Sequence, residues 1–131
     1  MFSFSEKSAK RLKTCHKDLQ KLFAEVAKTY DCTVIEGHRD EATQDRYFQQ
    51  GQSKLQWPNS KHNSSPSVAV DVAPCVGGKI SFDDRQCAAF GGYVKGVAQQ
   101  LGIKIRWGGD WDGDNDINDQ SFNDLVHFEL R

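Results

Sequence analysis

The chain has 131 residues, 37% hydrophobic and 27% charged, with a net charge of −1, which fits one compact domain with a modest core and leaves no length for a second. The near-neutral balance removes any general case for nucleic-acid binding, and no run approaches the roughly 20 apolar residues that span a bilayer. The opening MFSFSEKSAKRLK lacks the apolar centre of a secretory signal, so synthesis in the cytoplasm without stable membrane insertion is expected.

Ser3 and Glu6 have capping-box spacing, and Leu12, Leu19, Leu22, Phe23, Val26 and Tyr30 then recur at helical intervals; together they predict one long first helix. Residues 1–30 hold seven basic side chains against three acidic ones. Such a face can draw the molecule toward an anionic polymer, although a solvated helix face is the simpler reading. CTVIEG, residues 32–37, reads as a strand entering a turn at His38 and Arg39. Asp40 is placed to cap a second helix that runs to about Gln50 and stops at Gly51. Residues 52–67, rich in Ser, Asn, Gln and Pro, are expected to form a surface loop.

From Ser67 to Ala73 the alternation is clean, with Val68, Val70 and Val72 on one face and Ser67, Ala69, Asp71 and Ala73 on the other. A third helix is expected from about Asp83 to Leu101, with Phe90, Val94, Val97, Ala98 and Leu101 as its buried stripe and Gly102 as its stop. IKIRW, residues 103–107, is a further strand. LVHFEL, residues 125–130, is the last, with Val126, Phe128 and Leu130 facing the core and Leu125, His127 and Glu129 opposite.

On both ligand-bearing strands the polar candidate sits on the face that the apolar residues leave free, so adjacent strands would bring Asp71 and His127 to a common cleft. His62, in the preceding loop, can close a triangle with them. A catalytic zinc takes three such protein ligands and keeps one position for water. A carboxylate must then receive the proton of that water, and Asp124, three residues before His127, is the candidate. Its parity is wrong for sharing a face with His127 in an ideal strand, which predicts a bend at Asp124 before the strand begins. A buried aspartate on a small-residue face needs a partner, and metal is the economical one. His16 and His38 read instead as satisfied structural residues. Cys15, Cys32, Cys75 and Cys87 show no two-residue spacing and read as reduced thiols.

Asp110, Asp112, Asp114, Asp116 and Asp119 form a loop without a basic residue. Asn115 stands where an EF-hand needs glycine and Ser121 where it needs its bidentate glutamate, so an EF-hand is not expected. The stretch Asp110 to Asp116 remains a candidate weak calcium or magnesium site, against the simpler reading of a polar active-site rim. Trp107 and Trp111 flank it as packing or rim residues.

SKHNSSPSVAVDVAP, residues 60–74, with EGHRDEATQ, GQSK and the final WGGDWDGDNDINDQSFNDLVHFEL, resembles the zinc peptidases of the D-alanyl-D-alanine carboxypeptidase and VanY type, above all the bacteriophage endolysins that are L-alanyl-D-glutamate peptidases. The resemblance runs from about Val34 to the C-terminus. It implies an α+β fold of the hedgehog and DD-peptidase kind, a small antiparallel sheet with about three helices packed on it. It further implies one zinc ion per chain on His62, Asp71 and His127, with Asp124 as general base. Arg39 would orient substrate and steady the oxyanion, while Gln44 and Ser60 would contribute to substrate binding.

The implied activity is cleavage of a stem-peptide bond in bacterial peptidoglycan by a monomer made in the host cytoplasm and acting at the wall. A D-alanyl-D-alanine carboxypeptidase or dipeptidase and a catalytically silent virion structural protein are the alternatives. Two features depart from the family pattern. Eight residues separate His62 from Asp71, longer than the commonest spacing, and the base is aspartate where many relatives have glutamate.

Overall fold

The computed structural model describes residues 2–118 and 124–131. Its helices are α1 (Glu6–Lys13), α2 (Lys17–Val26), α3 (Glu41–Gln49) and α4 (Asp84–Leu101), and its strands are β1 (Cys32–Glu36), β2 (Ala69–Val76), β3 (Lys79–Ile80), β4 (Ile105–Gly108) and β5 (Asp124–Leu130). Among the described residues the strands form one antiparallel sheet in the order β1-β2-β5-β4, with β3 paired to β2. The α+β expectation therefore stands.

The single long first helix does not. Helical periodicity is broken at residues 14–16, where the chain leaves α1 to pair with Ser67: Ser67 N donates to Thr14 O at 2.9 Å and His16 N donates to Ser67 O at 2.8 Å. His16 then restarts the helix as the N-cap of α2, its Nδ1 accepting from Asp18 N at 3.0 Å. The cap of α1 is Ser5 rather than Ser3, with Oγ accepting from Ser8 N at 3.1 Å. Long-range pairing has overridden a local pattern, and it ties the helices to the segment that leads into β2.

The second and third expected helices form as α3 and α4, capped by Asp40 and Asp83. α2 and α4 cover one face of the sheet, where Leu19, Leu22, Phe23, Val26, Phe90 and Val94 meet Val70, Val72 and Phe128, all fully buried. The Phe128 ring takes Phe23 edge-on at 5.4 Å and Phe90 at 6.1 Å, geometry that favours aromatic pairs. β2 runs past Ala73 through Pro74 and turns at Gly77 and Gly78 into β3, a hairpin the alternation of residues 67–73 did not reveal. All four cysteines are free thiols, and burial pushes Cys15 up to about 11 and Cys32 to about 12.

The largest correction lies in β5. Its ladder with β4 pairs Arg106 with Glu129 and Trp107 with Phe128, then Gly108 with Asp124, so residues 125–127 bulge out of register. The bulge inverts the inside-outside alternation of the strand's first half. Leu125, expected on the open face, packs against the core, and Val126, expected inside, is not part of it. Trp107 Nε1 donates to Leu125 O at 2.8 Å and fixes the irregularity. Gly108 is needed there because a Cβ would lie 2.1 Å from Asp124 O. Asp124, expected at a bend ahead of the strand, is the first residue of β5 itself. The parity change that the sequence requires occurs within β5 instead.

Candidate active site

His62 sits on a short 3-10 turn, Lys61–Asn63, inside the Ser- and Asn-rich loop. Ser60 Oγ accepts from His62 N at 3.2 Å, and Asn63 Oδ1 accepts from Ser60 N at 3.0 Å, a reciprocal cap that holds the turn. The buried His62 ring faces Gly37 O through Nδ1 at 2.8 Å. A carbonyl only accepts, so Nδ1 carries the proton and Nε2 presents its lone pair. That Nε2 is buried with no hydrogen-bond partner and lies 3.3 Å from Asp71 Oδ1.

Asp71 and His127 are directly paired across β2 and β5. Asp71 Oδ1 lies 3.2 Å from His127 Nδ1, and His127 Nε2 lies 2.8 Å from Glu129 Oε1. Both ring nitrogens thus face carboxylate oxygens and donate when the ring is charged; a metal at Nδ1 would leave the proton on Nε2, held by Glu129. Ligand atoms of His62, Asp71 and His127 all fall within 4.8 Å of one another. A tetrahedral ion with bonds of about 2.1 Å has ligand edges of about 3.4 Å, close to the 3.3 and 3.2 Å edges on Asp71. Each imidazole also has the outer acceptor that a ligating histidine requires. The orphaned Nε2 and this donor set fit a zinc-type metal.

Burial alone would raise the Asp71 carboxyl, but the polar contacts with His127 and then His62 outweigh it and hold the group well below the usual carboxylate range. Burial works against His127 in the same way, yet Asp71 and Glu129 together lift it to about 9. Asp124 is moved upward, by burial first and then by the charge of Asp71, with the histidines and Arg39 acting against the rise.

Asp124 and Arg39 share the cleft with the three candidate ligands. One cavity, about 210 Å³, is lined by Arg39, Ser60, His62, Asp71, Asp124 and His127 among others, with Trp111 at its wall. A second, about 590 Å³, opens from Arg39, Asp71 and Asp124 toward Arg11 and Tyr47. The two meet at those three residues and Gln52, which line both. A larger hollow between Lys95 and Arg131 contains none of them.

Arg39 is almost wholly buried. Its Nε donates to Glu36 Oε1 at 2.7 Å, Nη2 contacts the same oxygen, and Nη1 donates to Gln44 Oε1 at 2.9 Å; its Cζ stands 4.7 Å above the Tyr47 ring. Gln44 needs correcting as a substrate contact, because it is 0% exposed. Its amide nitrogen donates to Leu55 O at 2.6 Å and Ser53 Oγ at 3.0 Å, and its oxygen also accepts from Asn63 Nδ2 at 3.1 Å. Gln44 therefore positions Arg39 and the His62 turn. Ser60 lines the cleft, with its hydroxyl engaged in the cap.

Glu36, Gly37, Asn63 and Glu129 escaped the sequence reading. Glu129 carried a signal, two positions after His127 and on the same strand face. Gly37 did not, since its role is a carbonyl and a close approach.

Asp110, Asp112 and Asp114 gather their carboxylates within 4.8 Å. Asp110 is buried and accepts from Lys95 Nζ at 3.0 Å and Asn115 N at 2.8 Å, while its Oδ1 has no hydrogen-bond partner. Asp116 is outside that group, and Asp119 and Ser121 lie outside the described residues. Trp107 is core and Trp111 tilts against the His127 ring at 5.5 Å.

A family model for the phage L-alanyl-D-glutamate peptidases matches residues 1–131. The chain belongs to that family. It is 35% identical over 125 residues to the L-alanyl-D-glutamate peptidase of Escherichia phage T5, covering 91% of this chain and 88% of that one. The L-Ala D-Glu endopeptidase ChiX of Serratia marcescens superposes with a TM-score of 0.79 at 26% identity, over 98% of this chain and 90% of that structure. The LD-carboxypeptidase LdcB shares the fold, with a TM-score of 0.62 at 20% identity, over 98% of this chain and 64% of that structure. Membership in the peptidase family takes in residues 1–33, which the motifs alone did not reach.

Proposed function

We propose that the chain is a zinc-dependent peptidoglycan endopeptidase of the endolysin kind, acting on the bond between L-alanine and D-glutamate of the stem peptide. The observation that carries this is the pair of imidazoles, each backed by an outer acceptor, whose inner nitrogens face Asp71 Oδ1 from two sides. His62, Asp71 and His127 would hold the ion. Bound there, zinc supplies Lewis acidity and a water of near-neutral pKa.

The remaining work falls to side chains. Asp124 takes the proton of the attacking water and delivers it to the leaving amine, a task for which its raised pKa suits it. Arg39 offsets charge developing on the scissile carbonyl oxygen, held on that line by Glu36 and Gln44. Wall peptides are the substrate, and the enzyme acts as a monomer at the wall after synthesis in the host cytoplasm; no helix among the described residues is long and apolar enough to cross a membrane. The Asp110, Asp112 and Asp114 group is a secondary, weak calcium or magnesium site supported by the unpartnered Asp110 Oδ1.

The test is digestion of purified peptidoglycan by zinc-loaded protein, with fragment masses read before and after chelation. New L-alanine and D-glutamate ends support the reading. Released D-alanine would support the carboxypeptidase instead.

A further inference from the structure

The cation that the sequence marks for substrate, Arg39, has its charge met inside the protein by Glu36, and three of its five donors are taken by Glu36 and Gln44. A substrate carboxylate therefore calls for another positive group. Lys61 stands at the right place. It immediately precedes His62 on the turn held by the Ser60 and Asn63 cap, its side chain is exposed, and among the described residues it forms no ion pair. It lines the same 210 Å³ cavity as Asp71, Trp111 and Asp124.

Glutamate has two carboxyl groups. In a peptide one continues the chain and the other is free, on the same residue whose nitrogen forms the bond to alanine. We propose that Lys61 binds this free carboxylate of the D-glutamyl residue and so sets the enzyme's preference for an acidic residue after the scissile bond. The backbone of Lys61 is fixed by the cap and by Val68 N donating to its carbonyl at 3.3 Å, so the residue offers a rigid base with a mobile charged tip. A charge-assisted contact of this kind is about twice as strong as a neutral one, and an amide in place of the carboxylate forfeits it. The inference rests on the L-alanyl-D-glutamate reading above.

The experiment compares two L-alanyl-D-glutamyl peptides, one with the free carboxyl and one with that carboxyl amidated, using the full zinc-loaded chain. The wild type is expected to favour the acid by about tenfold or more in kcat/KM, mostly through KM. Lys61→Gln is expected to bring the ratio near unity with zinc content intact, and Lys61→Arg to restore the preference. A Lys61→Gln enzyme that still prefers the acid, or a wild type indifferent to amidation, overturns the assignment. Failure to cut either peptide, with wall digestion appearing at another bond, sinks the L-alanyl-D-glutamate reading and takes this inference with it.

Discussion

Asp71 and His127 are direct partners across the β2–β5 ladder, with Oδ1 and Nδ1 3.2 Å apart. Their meeting is a property of the sheet register, so the carboxylate is the fixed point around which both imidazoles are arranged. Asp71→Ala is therefore expected to lower bound zinc from one equivalent to near zero after dialysis, with loss of wall digestion. Metal analysis of the dialysed variant checks this, and a full equivalent of zinc would show that the ion lies elsewhere.

The role proposed for Asp124 is separable from metal binding. Asp124→Asn would remove the proposed proton acceptor and leave His62, Asp71 and His127, so zinc content should persist while kcat falls by about 10²- to 10⁴-fold. The group must be ionised to act, and its pKa lies above the ordinary 3.8. Activity should then rise with pH along an acid limb centred above 3.8. An acid limb at or below that value contradicts the assignment of Asp124 as base.

Gly37 supports the site from behind. A Cβ there would meet Arg11 O and Thr14 Oγ1 at 2.4 Å each, while the Gly37 carbonyl orients His62. Gly37→Ala should cost about 1–3 kcal/mol through overpacking and weaken zinc binding along with it. Gly92→Ala, in α4 with nothing within 4 Å of the new carbon, should instead be neutral or stabilise by up to about 1 kcal/mol. Thermal melts and zinc competition with a chelator separate the two, and equal effects would remove the special role of Gly37.

Much of this was legible in the chain. The β-branched alternation around Val70 and Val72 and the caps at Asp40 and Asp83 mark their elements directly, because both are local patterns. The break at residues 14–16 was not, because its cause is Ser67, 52 residues beyond its bridge partner Cys15. The parity conflict between Asp124 and His127 was visible as a conflict, yet its resolution by a bulge depends on Trp107 and Gly108 of a neighbouring strand. Gln44 illustrates a different limit: a motif match brings a residue near the site but does not say whether it faces the cleft or, as here, lies behind it and holds Arg39.

The Asp71–His127 pair gives the metal-free protein a defined pH response. His127 is raised from 6.5 to about 9, so the stabilisation from its charged form is complete below 6.5 and is lost as pH rises through about 9. Asp71 is depressed, and its contribution is present above 3.8 and lost in acid. The Tm of chelated protein should be highest between about pH 4 and 6.5 and decline toward pH 9. His127→Gln should flatten the alkaline decline, and an unchanged slope in that variant would place its cause in another group.

Lys95 supplies the last prediction, because its ammonium occupies the aspartate loop as a tethered cation. Nζ lies 3.0 Å from both Asp110 Oδ2 and Asn115 Oδ1, and Asp110 is only 3% exposed. A buried carboxylate stripped of its partner is costly, so Lys95→Met should lower the Tm in the absence of divalent ions. Calcium bound by Asp110, Asp112 and Asp114 would replace the missing charge, and ligands that bind the folded state raise its stability by mass action. Millimolar calcium should therefore raise the Tm of Lys95→Met more than that of the wild type, and should leave Asp110→Asn unmoved. If calcium shifts none of the three, the loop is a polar rim held by lysine, and the secondary site is withdrawn without touching the site proposed at His62, Asp71 and His127.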